Sequence, residues 1–334
     1  MMKTDILKTE TQLHFLKKTF KKQLEKKLKL TPVSAPLAVI ENTGINDDLN
    51  GIERCVQFPI KALNDEKAVV VNSLAKWKRH RLKELAFKPN TGIITDMRAI
   101  RPDEDYSPIH SIYVDQWDWE KVIEEEDRNL KTLKKTVKKI YKALLKAEKK
   151  VEDRFKIKTK LPQEITFIHA EDLLQRYPHL PAKKREDKVA KEYGAIFLIG
   201  IGGSLSNGEA HDGRAADYDD WSTPTCAKYN GLNGDILVWN PVLQQAFELS
   251  SMGIRVDSKT LLQQLEKRDQ LYKKDYYFHQ LLLNDLLMPS MGGGIGQSRV
   301  AMFLLNKKHI GEVQSSIWSP KVRTELQAQN IFLL

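Results

Sequence analysis

Apolar residues recur at a helical spacing near the start of the chain. Between residues 9 and 30 they fall every three or four positions, which is the pattern of a helix with one buried face. Thr9 and Gln12 match a capping box, so we expect the helix to begin there. The predicted buried stripe consists of Leu13, Leu16, Phe20, Leu24 and Leu28.

A second helix is predicted within residues 124–160, where an apolar stripe also has helical spacing. Lysines fill most of the remaining positions, as expected for a solvent-facing surface. The stripe consists of Leu130, Leu133, Val137, Ile140, Leu144 and Val151.

Short apolar runs with few glycines inside them predict β-strands. Several carry charged or polar residues at close intervals, which suits an antiparallel or mixed sheet better than a fully buried parallel one. We therefore predict an α+β fold with a mostly antiparallel mixed sheet flanked by helices. No repeat or linker divides the chain, so one domain over residues 1–334 is expected. The predicted strands lie near residues 69–71, 111–114, 165–169, 195–201 and 235–239.

Residues 291–299, MGGGIGQSR, predict a glycine-rich turn that leads into an apolar helix at 300–305. Glycines let a base or a phosphate approach the backbone, and Arg299 supplies a planar set of donors. A turn that only caps a core helix fits the same letters. A dinucleotide fingerprint does not fit, because Arg299 stands in place of the third glycine. Residues 200–203, GIGG, lack the P-loop lysine and are predicted to be a simple turn.

Composition narrows the class of protein. A 334-residue chain with 41% hydrophobic and 29% charged residues is typical of a globular protein. No apolar run is long enough to span a bilayer, and the start MMKTD lacks a signal peptide, so a cytoplasmic protein without a membrane partner is expected. The net charge of +10 suits nucleic acid, but the lysines lie on solvated helix faces, so we expect no nucleic-acid partner. Two cysteines exclude a disulfide framework and a cysteine zinc site.

A second informative segment covers residues 97–105, MRAIRPDED, and is followed by 115–120, DQWDWE. An arginine held by neighbouring carboxylates can bind a phosphate, and a glutamine can hold a carboxylate without adding charge. Arg101 and Gln116 are the candidates for these roles. A surface turn of ion pairs next to a core strand is the alternative interpretation.

Three segments, in this order, resemble the catalytic core of class II aminoacyl-tRNA synthetases. Residues 30–37, LTPVSAPL, are similar to motif 1, which forms the dimer interface in that class. Residues 101–105, RPDED, are similar to motif 2, and residues 294–299, GIGQSR, to motif 3. The resemblance implies ATP binding and a homodimer with the N-terminal helix, about residues 9–30, at its interface.

A closer resemblance covers nearly the whole chain and points to the bacterial ammonia-dependent asparagine synthetase family, the aspartate–ammonia ligases. It rests on residues 73–79, 110–120, 217–224 and 231–241. It implies that MgATP activates the side-chain carboxylate of L-aspartate as a β-aspartyl-adenylate, with release of pyrophosphate. Ammonia then displaces AMP to give L-asparagine.

The resemblance also implies roles for individual residues. Arg101 is expected at the α-phosphate, and Arg299, with Gly294 and Gly296, at the distal phosphates or the adenine. Asp47 and Asp118 are expected to receive the substrate ammonium group, while Gln116 orients the reacting carboxylate. Asp235 and Glu248 are expected to bind Mg²⁺. Further candidates for contact with the substrate are Ser73, Lys78, Ser251 and Arg255.

The acidic segment 217–220, DYDD, has two open interpretations. In the first, the acidic side chains attract or deprotonate ammonium, and Asp219 lines the site. In the second, the segment is a solvated turn.

Three other functions are considered. An aspartyl- or asparaginyl-tRNA synthetase is allowed by the three motifs, but the chain leaves no room at either end for a separate anticodon-binding domain. A non-catalytic relative is expected to lose Arg101 and Arg299, and both are present. A glutamine-dependent enzyme needs an N-terminal cysteine to release ammonia, and Cys55 and Cys226 do not match that pattern. Free ammonia is the expected nitrogen donor.

Overall fold

The computed structural model describes residues 2–47, 53–159, 161–226 and 228–334, with side chains from residue 5 onward. The helices are α1 Met2–Leu28, α2 Ala75–Glu84, α3 Leu130–Phe155, α4 Ala170–Arg176, α5 Ala182–Tyr193, α6 Ser258–Lys267, α7 Tyr277–Leu283, α8 Gln297–Leu304 and α9 Pro320–Ala328. The strands are β1 Leu30–Pro32, β2 Ala38–Ile40, β3 Gln57–Ile60, β4 Glu66–Val70, β5 Gly92–Ile100, β6 Tyr113–Val122, β7 Thr166–His169, β8 Ala195–Ile199, β9 Pro224–Cys226, β10 Tyr229–Asn230, β11 Asn233–Asn240, β12 Gln245–Ile254 and β13 Ser290–Gly296.

An eight-stranded sheet forms the centre of the fold, in the order β1-β5-β6-β13-β12-β11-β8-β7. Only the outer pairs, β1 with β5 and β7 with β8, are parallel, and the inner strands are antiparallel. This confirms the predicted α+β class with a mostly antiparallel mixed sheet. A three-stranded sheet of β2, β4 and β3 lies beside it and carries the loop that leads to Asp47.

Helices α1 and α3 pack against each other and against one face of the large sheet. The two predicted apolar stripes are buried there apart from the partly buried Leu130, together with Trp117 and Trp119 of β6. The lysines of α3 lie toward solvent, as predicted. Two apolar stripes and one sheet face therefore form the main core, which leaves the opposite face of β6, β13 and β12 for polar residues.

The predicted start of α1 was wrong. The helix begins at Met2, so Thr9 is inside it and its hydroxyl donates to the carbonyl oxygen of Asp5 at 3.0 Å. A threonine inside a helix can donate its hydroxyl to the carbonyl of the preceding turn. The sequence alone does not distinguish such a threonine from one that begins a helix in a capping box.

The predicted glycine turn was also wrong, because residues 290–296 form strand β13, and helix α8 follows at Gln297. This strand pairs with both β6 and β12. A Cβ atom at Gly293 would lie 2.5 Å from Cβ of Met252 and 2.5 Å from the carbonyl oxygen of Ser251. The glycines here make room for side chains of adjacent strands rather than for a turn.

Other strand boundaries differ from the expected ones. The strand expected at 111–114 runs instead as β6 from Tyr113 to Val122, and neither β5 nor β12 was among the strands predicted from the apolar runs. Within the part of the chain that the structure describes, no helix is long and apolar enough to cross a membrane.

Candidate active site

Two adjoining cavities lie on the polar face of the large sheet. The larger has a volume of about 470 Å³ and the smaller about 270 Å³. They share a wall made of Arg101, Glu104, Gln116, Glu248 and Gly294. Most of the residues singled out from the sequence line one or both cavities, although they come from distant parts of the chain.

The floor of the site is the glycine strand β13 with polar side chains of β6 lying across it. Strand pairing sets Gln116 opposite Gly296, Asp118 opposite Gly294 and Glu120 opposite Gly292. A Cβ atom at Gly294 would overlap Oε1 of Gln116 and Oδ1 of Asp118, and one at Gly292 would overlap the carboxylate of Glu120. The alternate residues of β6, Trp117 and Trp119, point into the core. The absence of side chains at the glycines of β13 therefore leaves room for three polar side chains of β6.

Asp118 and Lys78 form a buried ion pair in the larger cavity. The Lys78 Nζ atom lies 2.9 Å from Asp118 Oδ2 and donates to the Gly293 carbonyl at 2.9 Å. Burial lowers the pKa of Lys78, although Asp118 and Glu120 oppose that shift. Among the described residues, Asp118 Oδ1 has no hydrogen-bond partner. This acceptor remains available to a donor in the cavity, such as an ammonium group.

Arg255 is buried between two acids. Its Nη2 atom is 2.7 Å from Glu120 Oε2, and its Nη1 atom pairs with Asp219. Ser290 donates to the other oxygen of Glu120 at 2.8 Å. Arg255 and Asp219 both line the larger cavity. The solvated-turn interpretation of segment 217–220 is therefore wrong, since Asp217, Asp219 and Asp220 are all buried.

Arg214 was missed in the sequence, because no motif surrounds it. Its guanidinium lies 2.6 Å from Asp235 and 3.5 Å from Asp219, and it also donates to Ser251. Burial and the nearby Glu248 raise the pKa of Asp235 to about 6, although Arg214 opposes the shift. Asp235 itself lies behind Arg214 and is the one predicted residue outside the described lining of both cavities.

An irregularity in β12 brings Glu248 into the site. Ile236 pairs with Ser250 while the next residue, Leu237, pairs with Glu248, so Leu249 is an extra residue. Such a bulge shifts by one residue the alternation of side chains between the two faces of the sheet. Leu249 points into the core, and Glu248 and Ser251 both line the larger cavity.

Arg101 directly follows β5 and lies at the shared wall. Its Nη2 atom donates to the Asn72 carbonyl at 3.2 Å. Its Nε atom is buried and has no hydrogen-bond partner in the described part of the chain. A guanidinium with unused donors at the junction of two cavities is suited to bind an anion that extends into both.

Arg299 lies in the smaller cavity and is held by His110, which the sequence reasoning did not single out. Arg299 Nη2 donates to His110 Nε2 at 2.8 Å, and Arg299 Nη1 lies 3.5 Å from Glu248 Oε2. Burial and then the charge of Arg299 lower the pKa of His110 to about 4, so the ring is neutral at neutral pH. Its Nδ1 atom then carries the proton and contacts Ser107 Oγ at 2.8 Å.

Asp47 and Ser73 complete the larger cavity. Asp47 is buried in the cavity wall. Tyr218 lines the same cavity, and its pKa is raised first by its own burial and then by the negative charge of Asp47. Ser73 accepts a hydrogen bond from the Ala75 amide at 3.1 Å and so helps to begin α2.

The described residues contain no cluster of three or more His, Cys, Asp or Glu side chains that could hold a metal ion. The carboxylates of Asp235 and Glu248 lie near each other, since the charge of Glu248 helps to raise the pKa of Asp235. Mg²⁺ in nucleotide sites commonly takes one or two protein carboxylates and completes its shell with phosphate and water. The pair fits such an ion, provided that Asp235 exchanges its contact with Arg214.

The sequence is similar to a family of known activity. Residues 7–330 match the sequence model of the aspartate-ammonia ligase family. The aspartate–ammonia ligase of Parabacteroides distasonis is 53% identical over 331 residues, which cover 99% of this chain and 96% of that protein. The one from Bacteroides fragilis is 52% identical over the same shares of both chains.

The fold is similar to that of a class II aminoacyl-tRNA synthetase. The crystal structure of asparaginyl-tRNA synthetase from Pyrococcus horikoshii complexed with asparaginyl-adenylate superimposes with a TM-score of 0.68. The match covers 93% of this chain and 68% of that one at 13% sequence identity. This confirms the predicted synthetase-like architecture.

We predict that Gly294→Ala disrupts the site while the fold is retained. The added methyl group displaces Gln116 and Asp118, and a shift of about 1 Å in a positioning group can reduce a rate about a hundredfold. Aspartate-dependent pyrophosphate–ATP exchange should fall by at least tenfold. The control is Gly208→Ala, where a methyl group meets no atom within 4 Å and the cost is backbone strain from a φ of +85°, outside the site. Equal activity of both variants would remove Gly294 from the site.

We predict that His110→Ala raises the KM for ATP about tenfold, because Arg299 loses the acceptor that positions it. His110→Gln retains an acceptor and should restore most of the affinity. The KM for aspartate should change little in either variant. The effect should be the same at all pH values above about 5, since the pKa of His110 is lowered to about 4. Steady-state kinetics would check these values, and an equal effect of both substitutions would contradict the positioning role.

Proposed function

The chain belongs to the aspartate-ammonia ligase family, and we propose how its two cavities share the reaction of that family. The enzyme makes L-asparagine from L-aspartate and ammonia through a β-aspartyl-adenylate, and it releases AMP and pyrophosphate. A carboxylate must gain a leaving group before ammonia can replace one of its oxygens. Transfer of AMP from ATP provides that group.

The larger cavity is proposed to bind L-aspartate. The free acceptor of Asp118, next to Lys78, suits the substrate ammonium group, and Asp47 adds a second buried carboxylate to the same cavity. Arg255 and Ser251 lie on the same face and suit the α-carboxylate, with Ser73 at the edge. Gln116 then lies at the shared wall, where its amide can orient the reacting carboxylate.

The smaller cavity is proposed to bind ATP. Arg299 is held by His110 and Glu248, and Gly294 and Gly296 of β13 line the same cavity. Arg101, at the junction, is placed to contact the α-phosphate where negative charge develops during attack. Its unused donors stabilise that charge without reorganisation of the protein.

A magnesium ion bound by Glu248 and Asp235 is part of this proposal. When bound, the ion neutralises phosphate charge and orients the leaving pyrophosphate. Glu248 lines both cavities, whereas Asp235 becomes a ligand only if Arg214 turns away.

A homodimer in the cytoplasm is also proposed, with α1 and β1 at the interface and without nucleic acid as a partner. The support is the motif 1 resemblance of residues 30–37 and the exposure of Leu7 and Leu37 near that surface, at 67% and 59%. An aminoacylating tRNA synthetase is the alternative activity. Identity above 50% to aspartate–ammonia ligases over nearly the whole chain favours the ligase.

The arrangement of Gln116 and Asp118 over Gly294, in a cavity that Arg101 and Arg255 also line, is the observation that carries this proposal. We predict that the purified protein with aspartate and MgATP forms asparagine and an equal amount of AMP from ammonium, and none from glutamine. Cys55→Ser with Cys226→Ser should leave this activity within about tenfold, since no thiol step is needed. Exchange of pyrophosphate into ATP without asparagine would favour the tRNA alternative.

We predict that Arg101→Ala lowers adenylate formation by at least about a hundredfold, since it removes donors aimed at the α-phosphate. Arg98→Ala is the matched control, because Arg98 is an exposed residue of β5, the strand that Arg101 follows, and lies outside both cavities. Pyrophosphate exchange with each folded variant measures the step. A near-normal rate for Arg101→Ala would exclude the assigned role.

We predict that the apparent affinity for Mg²⁺ falls between about pH 7.5 and about pH 5.5. The pKa of Asp235 is raised to about 6, so the carboxyl group is neutral below that pH and cannot bind the ion. Asp235→Asn should weaken Mg²⁺ activation and remove this part of the pH dependence. The control is Asp269→Asn at an exposed left-handed position that asparagine tolerates. An unchanged Mg²⁺ profile in Asp235→Asn would exclude Asp235 as a ligand.

A further inference from the structure

A third cavity of about 170 Å³ lies behind the larger one. Its lining includes the exposed residues Asn42 and Gln57 at the surface and the buried residues Asp217 and His279 inside. None of its described lining residues belongs to the first two cavities. It is therefore a separate depression that runs from solvent to a buried polar pair.

The wall between this cavity and the larger one is about one residue thick. In three segments, one residue faces the third cavity and its chain neighbour faces the larger one. These neighbouring pairs are Asn46 with Asp47, Lys76 with Ala75, and Asp217 with Tyr218. A small molecule in the third cavity is thus close to the proposed aspartate site.

Asp217 and His279 form a hydrogen-bonded pair in the floor of the cavity. His279 Nε2 lies 3.0 Å from Asp217 Oδ2, and the ammonium group of Lys76 lies 2.7 Å from the same oxygen. Burial alone would raise the pKa of Asp217, but Lys76 and His279 hold it well below its usual range. Since the carboxylate accepts the Nε2 proton, Nδ1 of a neutral His279 carries a lone pair.

Two buried atoms of this pair have no hydrogen-bond partner among the described residues: Asp217 Oδ1 and His279 Nδ1. Both are acceptors, so a ligand that satisfies them must bring N–H or O–H donors. Gly44 leaves the space beside the ring open, since a Cβ atom there would lie 2.9 Å from His279 Nδ1. An ammonium ion has four donors and no acceptor, which matches this lining.

We propose that the third cavity admits the ammonium ion and that the Asp217–His279 pair removes one of its protons. One N–H bond breaks, its electron pair stays on nitrogen, and the proton bonds to His279 Nδ1. The resulting imidazolium is stabilised by Asp217. Ammonia then passes to the larger cavity and attacks the acyl carbon of the adenylate with its lone pair. A C–N bond forms, the C–O bond to AMP breaks with its electron pair leaving on AMP, and the nitrogen loses one more proton to give the neutral amide. This proton and the one on His279 return to solvent. This inference rests on the ligase function proposed above.

The charged surroundings favour loss of the proton. Lys76 and Lys273 line the cavity on the same side as the pair, and Glu41 and Tyr276 are the other titratable side chains that line it apart from Cys55. Two nearby cations disfavour a third, so ammonia is held more readily than ammonium once the base has acted. When His279 takes up the proton, the negative charge of Asp217 leaves the pair with no net charge.

The test uses His279→Gln. The glutamine amide can still donate to Asp217, but the Nδ1 acceptor is lost. We expect kcat/KM for ammonium to fall at least about tenfold at pH near 7.5, within the range of general-base effects. Aspartate-dependent pyrophosphate–ATP exchange should be unchanged, since activation precedes the use of ammonia. Hydroxylamine, which is mostly neutral at that pH, should form aspartyl hydroxamate at the wild-type rate.

Two further variants complete the design. His80→Gln is the same exchange on α2 outside all three cavities, and it should match the wild type in every assay. Gly44→Ala leaves both residues of the pair unchanged and adds a methyl group 2.9 Å from Nδ1 and 2.9 Å from Cβ of Tyr276, at a φ of +71° that strains alanine. It should reproduce the selective loss with ammonium. It carries the test if His279→Gln does not fold, with pyrophosphate exchange as the sign of a folded site.

The outcomes are distinct. A loss confined to ammonium supports the proposal. Unchanged use of ammonium, or an equal loss with hydroxylamine, overturns it and leaves the pair a structural role. Failure of the wild-type enzyme to make asparagine from ammonium would instead contradict the ligase function on which the proposal rests.

Discussion

The site depends on one steric constraint, which is the space left above strand β13. Gly292 and Gly294 have no Cβ atoms where the carboxylates and amide of β6 lie. Interior glycines weaken a strand on their own, and this strand is secured by pairing on both sides and by Ile295 and Met291 in the core. The fold thus keeps a strand of low intrinsic stability at its centre because the polar side chains of its neighbour need that volume.

The charges above this floor are arranged in matched groups. Lys78 with Asp118, Arg255 with Glu120 and Asp219, and Arg214 with Asp235 are all largely buried. A buried charge without a partner is very unfavourable. Moving one side chain out of an ion pair would leave its partner in that state, so each pair holds its members in place. Cavity atoms that have no hydrogen-bond partner within the described part of the chain, such as Asp118 Oδ1 and Arg101 Nε, are then the places where a ligand can bind to a rigid surface.

The spacing of apolar residues was enough to predict the long helices. Each of α1 and α3 buries one continuous apolar stripe against the same core, so its apolar residues recur at the helical period. The same method did not predict strand β13, because glycines show no alternation of apolar and polar side chains. Their role is set by side chains of β6, which lie more than 170 positions earlier in the chain. Arg101, Gln116 and Arg299 were found through motifs. Arg214 lies in no motif, and His110 begins the segment 110–120 but received no role of its own. The position of each is explained only by a tertiary neighbour, Asp235 for Arg214 and Arg299 for His110.

Asp118 and Gln116 lie two residues apart on one strand, so their side chains leave the sheet about 6.6 Å apart. If Asp118 receives the ammonium group of the substrate and Gln116 its side-chain carboxylate, the two-residue repeat of the strand sets the distance between the two groups that can bind. Glutamate, with one more methylene group between its ammonium group and its side-chain carboxylate, would exceed this spacing. Selection by chain length would then come from the pitch of a β-strand, without any residue that recognises the extra carbon.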